Sequence, residues 1–258
     1  MNAFFLLCSL LLSLPLAALG IPAGTSTDQP KPRLHLVGDS TMADKTNLAY
    51  PERGWGQLLR EFLRPELTLI NHAANGRSTL RFLNEGRWQL LLSDLGKDDY
   101  VLIQFAHNDS KQDDPARYAA PDSTYPQLLT RFIRDVRAKG GIPMLATSIC
   151  RRNFNARGQL QDDLALYAKA MRQVATQEQV ELVDLHSWHC AELQKSGPAG
   201  SQPYFIQVPA GLYQKFPDGK TDNTHLSVQG ATLVAQQFVR QLKQRQHPLA
   251  PYVWRELL

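Results

Sequence analysis

The chain is sparing in several features whose excess would decide a fold class. It has three cysteines in 258 residues, which excludes a small scaffold stapled by many disulfides. Neither charge sign dominates. The 28 Lys and Arg against 24 Asp and Glu leave a formal net charge of +4. No run of Lys or Arg interleaved with aromatics occurs, so no nucleic-acid partner is expected. Internal repeats and domain-sized linkers are also absent. A 43% hydrophobic and 20% charged composition argues against disorder and coiled coil. What remains is an ordinary globular chain of a length that suits one α/β domain.

One long apolar run does occur, from Phe4 to Leu19, and no charged side chain precedes Asp28. Ala18-Leu19-Gly20 offers the small residues that signal peptidase accepts, so residues 1–20 are expected to be a signal peptide. The competing reading is an uncleaved anchor, because no Lys or Arg precedes the run. The run is short for a membrane span, and Pro15 breaks it near its end. Cys8 lacks the small residues before it that a lipoprotein site needs. Residues 21–32 read as a linker and 33–258 as the folded domain. A secreted or periplasmic monomer without stable membrane association is therefore expected. Cys150 and Cys190 then form an even pair that permits one disulfide. Two separate buried thiols stay open as the alternative, since spacing does not give the Cα separation.

Along the domain, apolar β-type runs alternate with helical patterns. Strands are expected at Arg33–Val37, Thr68–Asn71, Tyr100–Phe105, Ile142–Thr147 and Val180–Leu185. Helices are expected at Gly54–Leu63, Leu80–Leu95 (with Leu83, Leu90 and Leu91 facing a core), Tyr125–Lys139, Asp162–Gln177 and about Ser227–Gln244. Five strands separated by helices predict an α/β three-layer sandwich, a flavodoxin-like parallel sheet covered on both faces. Ligands of such sheets sit beyond the carboxyl ends of the strands, so the loops after the strands are where chemistry is to be sought.

Those loops hold candidate groups, each with a plainer alternative. Gly38-Asp39-Ser40-Thr41 puts a serine at a strand-to-helix turn, where it is a nucleophile or merely a helix cap. Gly76, in Ala73–Ser78, presents a backbone N–H to an oxyanion or simply turns the chain. Asn108, in Ala106–Asp109, donates its amide to the same oxyanion or makes an Asx turn. Asp222 stands three residues before His225, so its carboxylate can hold the imidazole that takes a serine's proton; helix capping nearby is the alternative. His107 is expected to line the site rather than act as base. His186 and His189 share a helix spacing, but no third ligand pattern follows, so no metal is expected. Asp113-Asp114 and Asp162-Asp163 read as solvated acids rather than glycosidic carboxylate pairs.

Taken together, GDS, the Gly76 loop, HND and DxxH resemble the SGNH (GDSL-type) hydrolase superfamily. VGDSTMAD, GWGQLL, NHAANGRSTLRF, FAHND, the segment with Arg151-Arg152 and DNTHLS are similar to the rhamnogalacturonan acetylesterases within it. The resemblance implies the SGNH hydrolase fold and a cofactor-free Ser-His-Asp esterase. It implies Ser40 as nucleophile, His225 as base and Asp222 as its orienting acid. The oxyanion donors would be the Ser40 and Gly76 N–H groups and the Asn108 side chain. Ala106 departs from the glycine usual there and is expected to crowd the acyl pocket.

The substrate expected from the resemblance is an acetylated polysaccharide or oligosaccharide, with pectic rhamnogalacturonan first. Arg77, His107, Arg151 and Arg152 are the candidate substrate-binding residues, together with Arg81 and Lys111 nearby, since Arg matches a uronate carboxylate with two prongs. The alternatives are a lipase or lysophospholipase of the same superfamily, an acetylxylan or oligosaccharide deacetylase, and a non-catalytic sugar-binding protein on this scaffold.

Overall fold

The computed structural model describes residues 31–254. The expected signal peptide and nearly all of the expected linker lie outside them. Five parallel strands, β1 (Arg33–Gly38), β2 (Thr68–Asn71), β3 (Tyr100–Gln104), β4 (Ile142–Ala146) and β5 (Glu181–Val183), form a sheet in the order β2-β1-β3-β4-β5. That is the flavodoxin-like order, and it places β1 and β3 centrally. Their sequences, RLHLVG and YVLIQ, are near-continuous apolar runs because both faces are buried.

The period-2 geometry of the strands splits these side chains between two cores. Leu34, Leu36, Leu102 and Met144 face one core with α1 (Trp55–Leu59), α6 (Leu185–Gly200) and α7 (Val228–Gln244). Val37, Val101, Ile103 and Leu145 face the other, with α2 (Thr79–Asn84), α3 (Arg87–Asp94), α4 (Thr124–Ala138) and α5 (Ala165–Gln177). Burial of each large side chain contributes about 1.5–3 kcal/mol, so the alternation fixes which face every strand residue takes. Among the described residues, no helix is long and apolar enough to cross a membrane.

Several elements differ from expectation. The helix expected over 80–95 is two helices, α2 and α3, separated at Gly86, whose φ is +74°. The break rotates α3, so Leu91 is buried while Leu90 is 71% exposed. The helix expected over 54–63 continues after Leu59 only as a 3-10 turn, and α5 starts at Ala165 rather than at Asp162. The helix α6 and the antiparallel pair β6 (Phe205–Val208) and β7 (Lys220–Leu226) were not foreseen. Asp222 and His225, expected in a turn before the last helix, lie on β7.

Candidate active site

The site is assembled at the carboxyl ends of β1, β2 and β3, with β7 closing over it from the side. After β1 the chain turns sharply. Asp39 Oδ1 accepts hydrogen bonds from the Thr41 N–H (2.9 Å) and hydroxyl (2.8 Å), and the Asp39 carbonyl accepts from Met42 and Ala43. This turn presents Ser40. It is braced from behind by the start of α1, where Gly54 passes so close that a Cβ would lie 2.1 Å from the Ala43 carbonyl oxygen. Only glycine permits that approach.

Ser40 meets a histidine 185 positions away. Its Oγ lies 2.9 Å from His225 Nε2, and His225 Nδ1 lies 2.8 Å from Asp222 Oδ2. Asp222 Oδ1 accepts from the N–H groups of Thr224 (2.9 Å) and His225 (3.0 Å). The pairing of β6 with β7 explains this posture. Phe205 opposes Leu226 and Ile206 opposes Asp222, so Asn223, Thr224 and His225 bulge out of the ladder. Gln207 donates to the Asp222 carbonyl and to Asn223 Oδ1, and Arg152 pins Asn223 through its own N–H and its guanidinium. Burial alone would raise the Asp222 pKa. The hydrogen bond and charge of His225 and the two N–H donors outweigh it, holding the carboxyl well below the usual range.

Opposite the His225 side stand the oxyanion candidates. Gly76 has φ +75°, and a Cβ there would meet nothing within 4 Å, so backbone conformation rather than space calls for glycine. Among the described residues, no acceptor is bonded to the N–H of Ser40 or of Gly76. Asn108 Nδ2 spends one hydrogen on the Arg77 carbonyl (3.1 Å), and its Oδ1 accepts from Arg117 (3.4 Å). The second amide hydrogen is left for a ligand. All three donors belong to residues that share one cavity with the Ser40 hydroxyl.

Two buried carboxyls lie beside these groups. Asp109 Oδ1 accepts from the Thr79 N–H (2.9 Å) and hydroxyl (2.6 Å), which ties the Asn108 loop to the start of α2. Its Oδ2 and that of Asp39 are buried without a partner. Burial pushes the Asp109 carboxyl up to about 7 despite the Thr79 bonds, and burial raises Asp39 as well. Lys45 is a third supporting group, its side chain 3% exposed. Its ammonium lies 2.9 Å from Glu52 Oε1 and bonds Asn75 Oδ1, anchoring the residue before Gly76.

These groups open into a cavity of about 360 Å³. Ser40, Gly76, Asn108, Asp222 and His225 all line it. Four cations, Lys111, Arg117, Lys215 and Lys220, do so too, with Glu52 and the apolar Ile206 and Phe216. Lys215, in the loop between β6 and β7, Lys220, at the start of β7, and Arg117 and Glu52 belong to none of the sequence motifs.

The four residues proposed from sequence to bind substrate are not in the wall. Arg77 bonds Glu85 and the Asn75 carbonyl. Arg151 bonds the His107 carbonyl and Ser110. Arg152 holds Asn223, Ser201 and Pro198. His107 is 3% exposed, with burial and then the charges of Arg151 and His225 driving its pKa well below the usual value. Protein acceptors engage all three guanidinium groups and His107 is buried, so none of the four faces this cavity. Ala106 is 1% exposed and packs into the α2–α5 core, so its methyl does not crowd the cavity.

A hydroxyl bonded to an imidazole, itself held by a carboxylate, can deliver its oxygen to a carbonyl while passing its proton to nitrogen. Residues 36–233 match the GDSL-like lipase/acylhydrolase family. The chain belongs to that family. It is an ester hydrolase of the SGNH fold. It is 34% identical over 221 residues to the rhamnogalacturonan acetylesterase RhgT of Bacillus subtilis, covering 86% of this chain and 94% of that one. Among solved structures, YxiM of Bacillus subtilis superposes with a TM-score of 0.72 at 23% identity, over 84% of this chain and 58% of that longer one. Axe2, an acetylxylan esterase from Geobacillus stearothermophilus, superposes with a TM-score of 0.60 at 18% identity, over 83% and 96%.

Proposed function

We propose that this GDSL-family hydrolase is an exported carbohydrate acetylesterase acting on a pectic, uronate-bearing polysaccharide, most simply acetylated rhamnogalacturonan. The observation that carries the catalytic reading is the Ser40–His225–Asp222 chain of 2.9 and 2.8 Å contacts. Ser40 Oγ attacks the acetyl carbonyl while His225 Nε2 takes its proton. Asp222 keeps Nδ1 protonated and balances the imidazolium. The N–H groups of Ser40 and Gly76 and the Asn108 amide hold the oxyanion, each worth about 3 kcal/mol of barrier. His225 then returns the proton to the departing sugar oxygen, and water repeats the cycle on the acyl-enzyme.

The cation ring supports the polyuronate substrate. Burial, followed by the charges of Arg117 and Arg151, depresses the Lys111 pKa. A carboxylate docked there relieves the mutual repulsion of these groups. A wall with four cations suits long acyl chains poorly, which disfavours the lipase alternative. Export is supported by the apolar N-terminal run and by the Cys150–Cys190 disulfide, whose Cα atoms lie 5.4 Å apart.

Acetate release from acetylated rhamnogalacturonan and acetylated xylan tests both parts. Ser40→Ala is expected to lower kcat about a millionfold; undiminished release would remove Ser40 as nucleophile. Lys111→Ala with Lys215→Ala is expected to raise KM for the uronate polymer and leave p-nitrophenyl acetate hydrolysis unchanged. Equal use of xylan, indifferent to those lysines, would overturn the polyuronate assignment.

A further inference from the structure

Outside the Ser40 cavity, the loop after β4 and the first turns of α6 bring Cys150, Asp162, His186 and Cys190 together. One ligand-capable atom from each lies within 4.8 Å of the other three. Cys150 and Cys190 are joined as a disulfide. His186 is 3% exposed. Its Nδ1 lies 2.9 Å from the Ser148 carbonyl oxygen, which can only accept, so that nitrogen carries a hydrogen. The other nitrogen, Nε2, faces Asp162 Oδ2 at 2.9 Å and Cys190 Sγ at 3.6 Å, while Cys150 Sγ lies beside the ring, 3.6 Å from Nδ1 and 3.9 Å from Nε2. A carboxylate oxygen, an imidazole nitrogen and two sulfurs therefore converge on one point.

We propose that reduction of the Cys150–Cys190 bond turns this cluster into a site for one divalent cation of the zinc class. The ligands are the two thiolates, His186 Nε2 and Asp162 Oδ2. Two observations carry the assignment. First, Zn–S bonds of about 2.3 Å and Zn–N bonds of about 2.0–2.1 Å in a tetrahedron put sulfur and nitrogen roughly 3.5 Å apart, close to the 3.6 Å between Cys190 Sγ and His186 Nε2. Cys150 Sγ must swing from the ring toward the Nε2 side and away from Cys190, which breaking their bond allows. Second, the Ser148 carbonyl fixes His186 with Nε2 toward the other ligands, the outer contact that metal-binding histidines characteristically make. Two thiolates with one nitrogen and one oxygen suit Zn²⁺ better than a hard cation. The Asp162 side chain, 37% exposed, gives a way in from solvent.

The chemistry balances. A dithiol or phosphine reductant supplies two electrons, the S–S bond breaks, and each sulfur takes one proton. Both protons leave when the cation binds, together with the one that His186 Nε2 shares with the Asp162 carboxylate. The HxxH spacing that first drew notice is not the ligand pattern. His189 Nδ1 accepts the Cys150 N–H at 3.1 Å, and the partner on the helix is Cys190, one turn after His186.

The test is a Co²⁺ titration of the full chain carrying Cys8→Ser, anaerobically, after reduction with a phosphine, followed by displacement with Zn²⁺. One equivalent per chain is expected, with thiolate-to-metal charge transfer and the visible absorption of tetrahedral Co²⁺, and none in the oxidised chain. Cys190→Ser and His186→Ala should abolish the signal. Asp162→Asn should weaken binding at least about tenfold, the lower end of what losing even an outer partner costs. Circular dichroism is followed in parallel. If the reduced, metal-free chain loses its fold, the cation must restore it. The proposal is overturned by no charge-transfer band in the reduced chain, by equal binding to the oxidised chain or to Cys190→Ser, or by a reduced chain that stays unfolded with Zn²⁺ present.

Discussion

Two aspartate–histidine pairs of nearly equal length sit on the catalytic half of this molecule, and they are built in opposite senses. Asp222 contacts His225 at 2.8 Å, and Asp162 contacts His186 at 2.9 Å. In the first pair the carboxylate is the more buried partner, its side chain 16% exposed against 32% for the imidazole. In the second the imidazole is buried at 4% and the carboxylate is 37% exposed. The nitrogens are reversed as well. His225 gives Nδ1 to its aspartate and turns Nε2 to the Ser40 hydroxyl. His186 gives Nδ1 to a carbonyl and turns Nε2 to the carboxylate and the Cys190 sulfur. A half-buried imidazole with a lone pair facing a hydroxyl can carry protons to a substrate. A buried one surrounded by acceptors can only be held or hold a cation. The pair itself is therefore uninformative; the third group decides its chemistry.

The strongest way to break this comparison is to neutralise one carboxylate. Asp222→Asn is expected to lower kcat for acetyl-ester hydrolysis about 10⁴-fold, because the amide stabilises the wrong tautomer. A third pair, His247 with Glu181 at 2.9 Å, serves as control, and Glu181→Gln should leave kcat within about twofold, the scale of surface effects. Equal losses in both variants would mean that position does not matter. Asn108→Ala removes the amide proposed as an oxyanion donor and should cost about 10²–10³ in kcat with KM little changed; an effect confined to KM would assign Asn108 to binding instead.

The next effect is indirect. Lys45→Met frees Asn75 and strands the Glu52 charge, so kcat should fall up to about a hundredfold as the Gly76 N–H drifts. Stability should fall by about 3 kcal/mol in urea unfolding. An unchanged kcat in a folded variant would leave Lys45 as structural only. The smallest effect is in pH dependence. Asp109 is held up to about 7 in the fold, against about 3.9 unfolded. The native state thus binds more protons between those values, and stability should decline as pH rises from about 4 to about 7. Asp109→Asn keeps an oxygen for Thr79 and should flatten that segment of the stability curve. An unaltered slope would show that Asp109 titrates normally.

Much of this was legible in the chain. The five strands, the parallel sheet and the loops that carry chemistry followed from apolar runs and their spacing, since strands buried on both faces must be apolar throughout. Ser40, Gly76 and Asn108 sit in short motifs after strands and Asp222 and His225 in one before the last helix; each singly suits a cap or a turn, and only their joint resemblance to a family made them candidates. Elsewhere local signals failed. The stretch Leu185–Gly200 shows no clean apolar stripe and ends in Gly197-Pro198, so α6 escaped notice. Lys220–Leu226 is a polar strand, stabilised by β6 rather than by its own pattern. Leu90 looked like core because Gly86, a single residue, resets the helix phase after it.

Apolar runs in the chain were enough to place the sheet and its strand-end loops, because periodicity survives in one dimension, while the five candidate groups were marked only by their joint resemblance to a family. Tertiary structure alone decided the bulge that delivers His225 to Ser40. It also decided that Arg77, Arg151 and Arg152 brace the protein while Lys215 and Lys220 face the cavity, and that Asp162 joins His186 beside Cys150 and Cys190. Those outcomes depend on which distant segments pack together and on which acceptors each cation finds first, and neither is written in any local window of the chain.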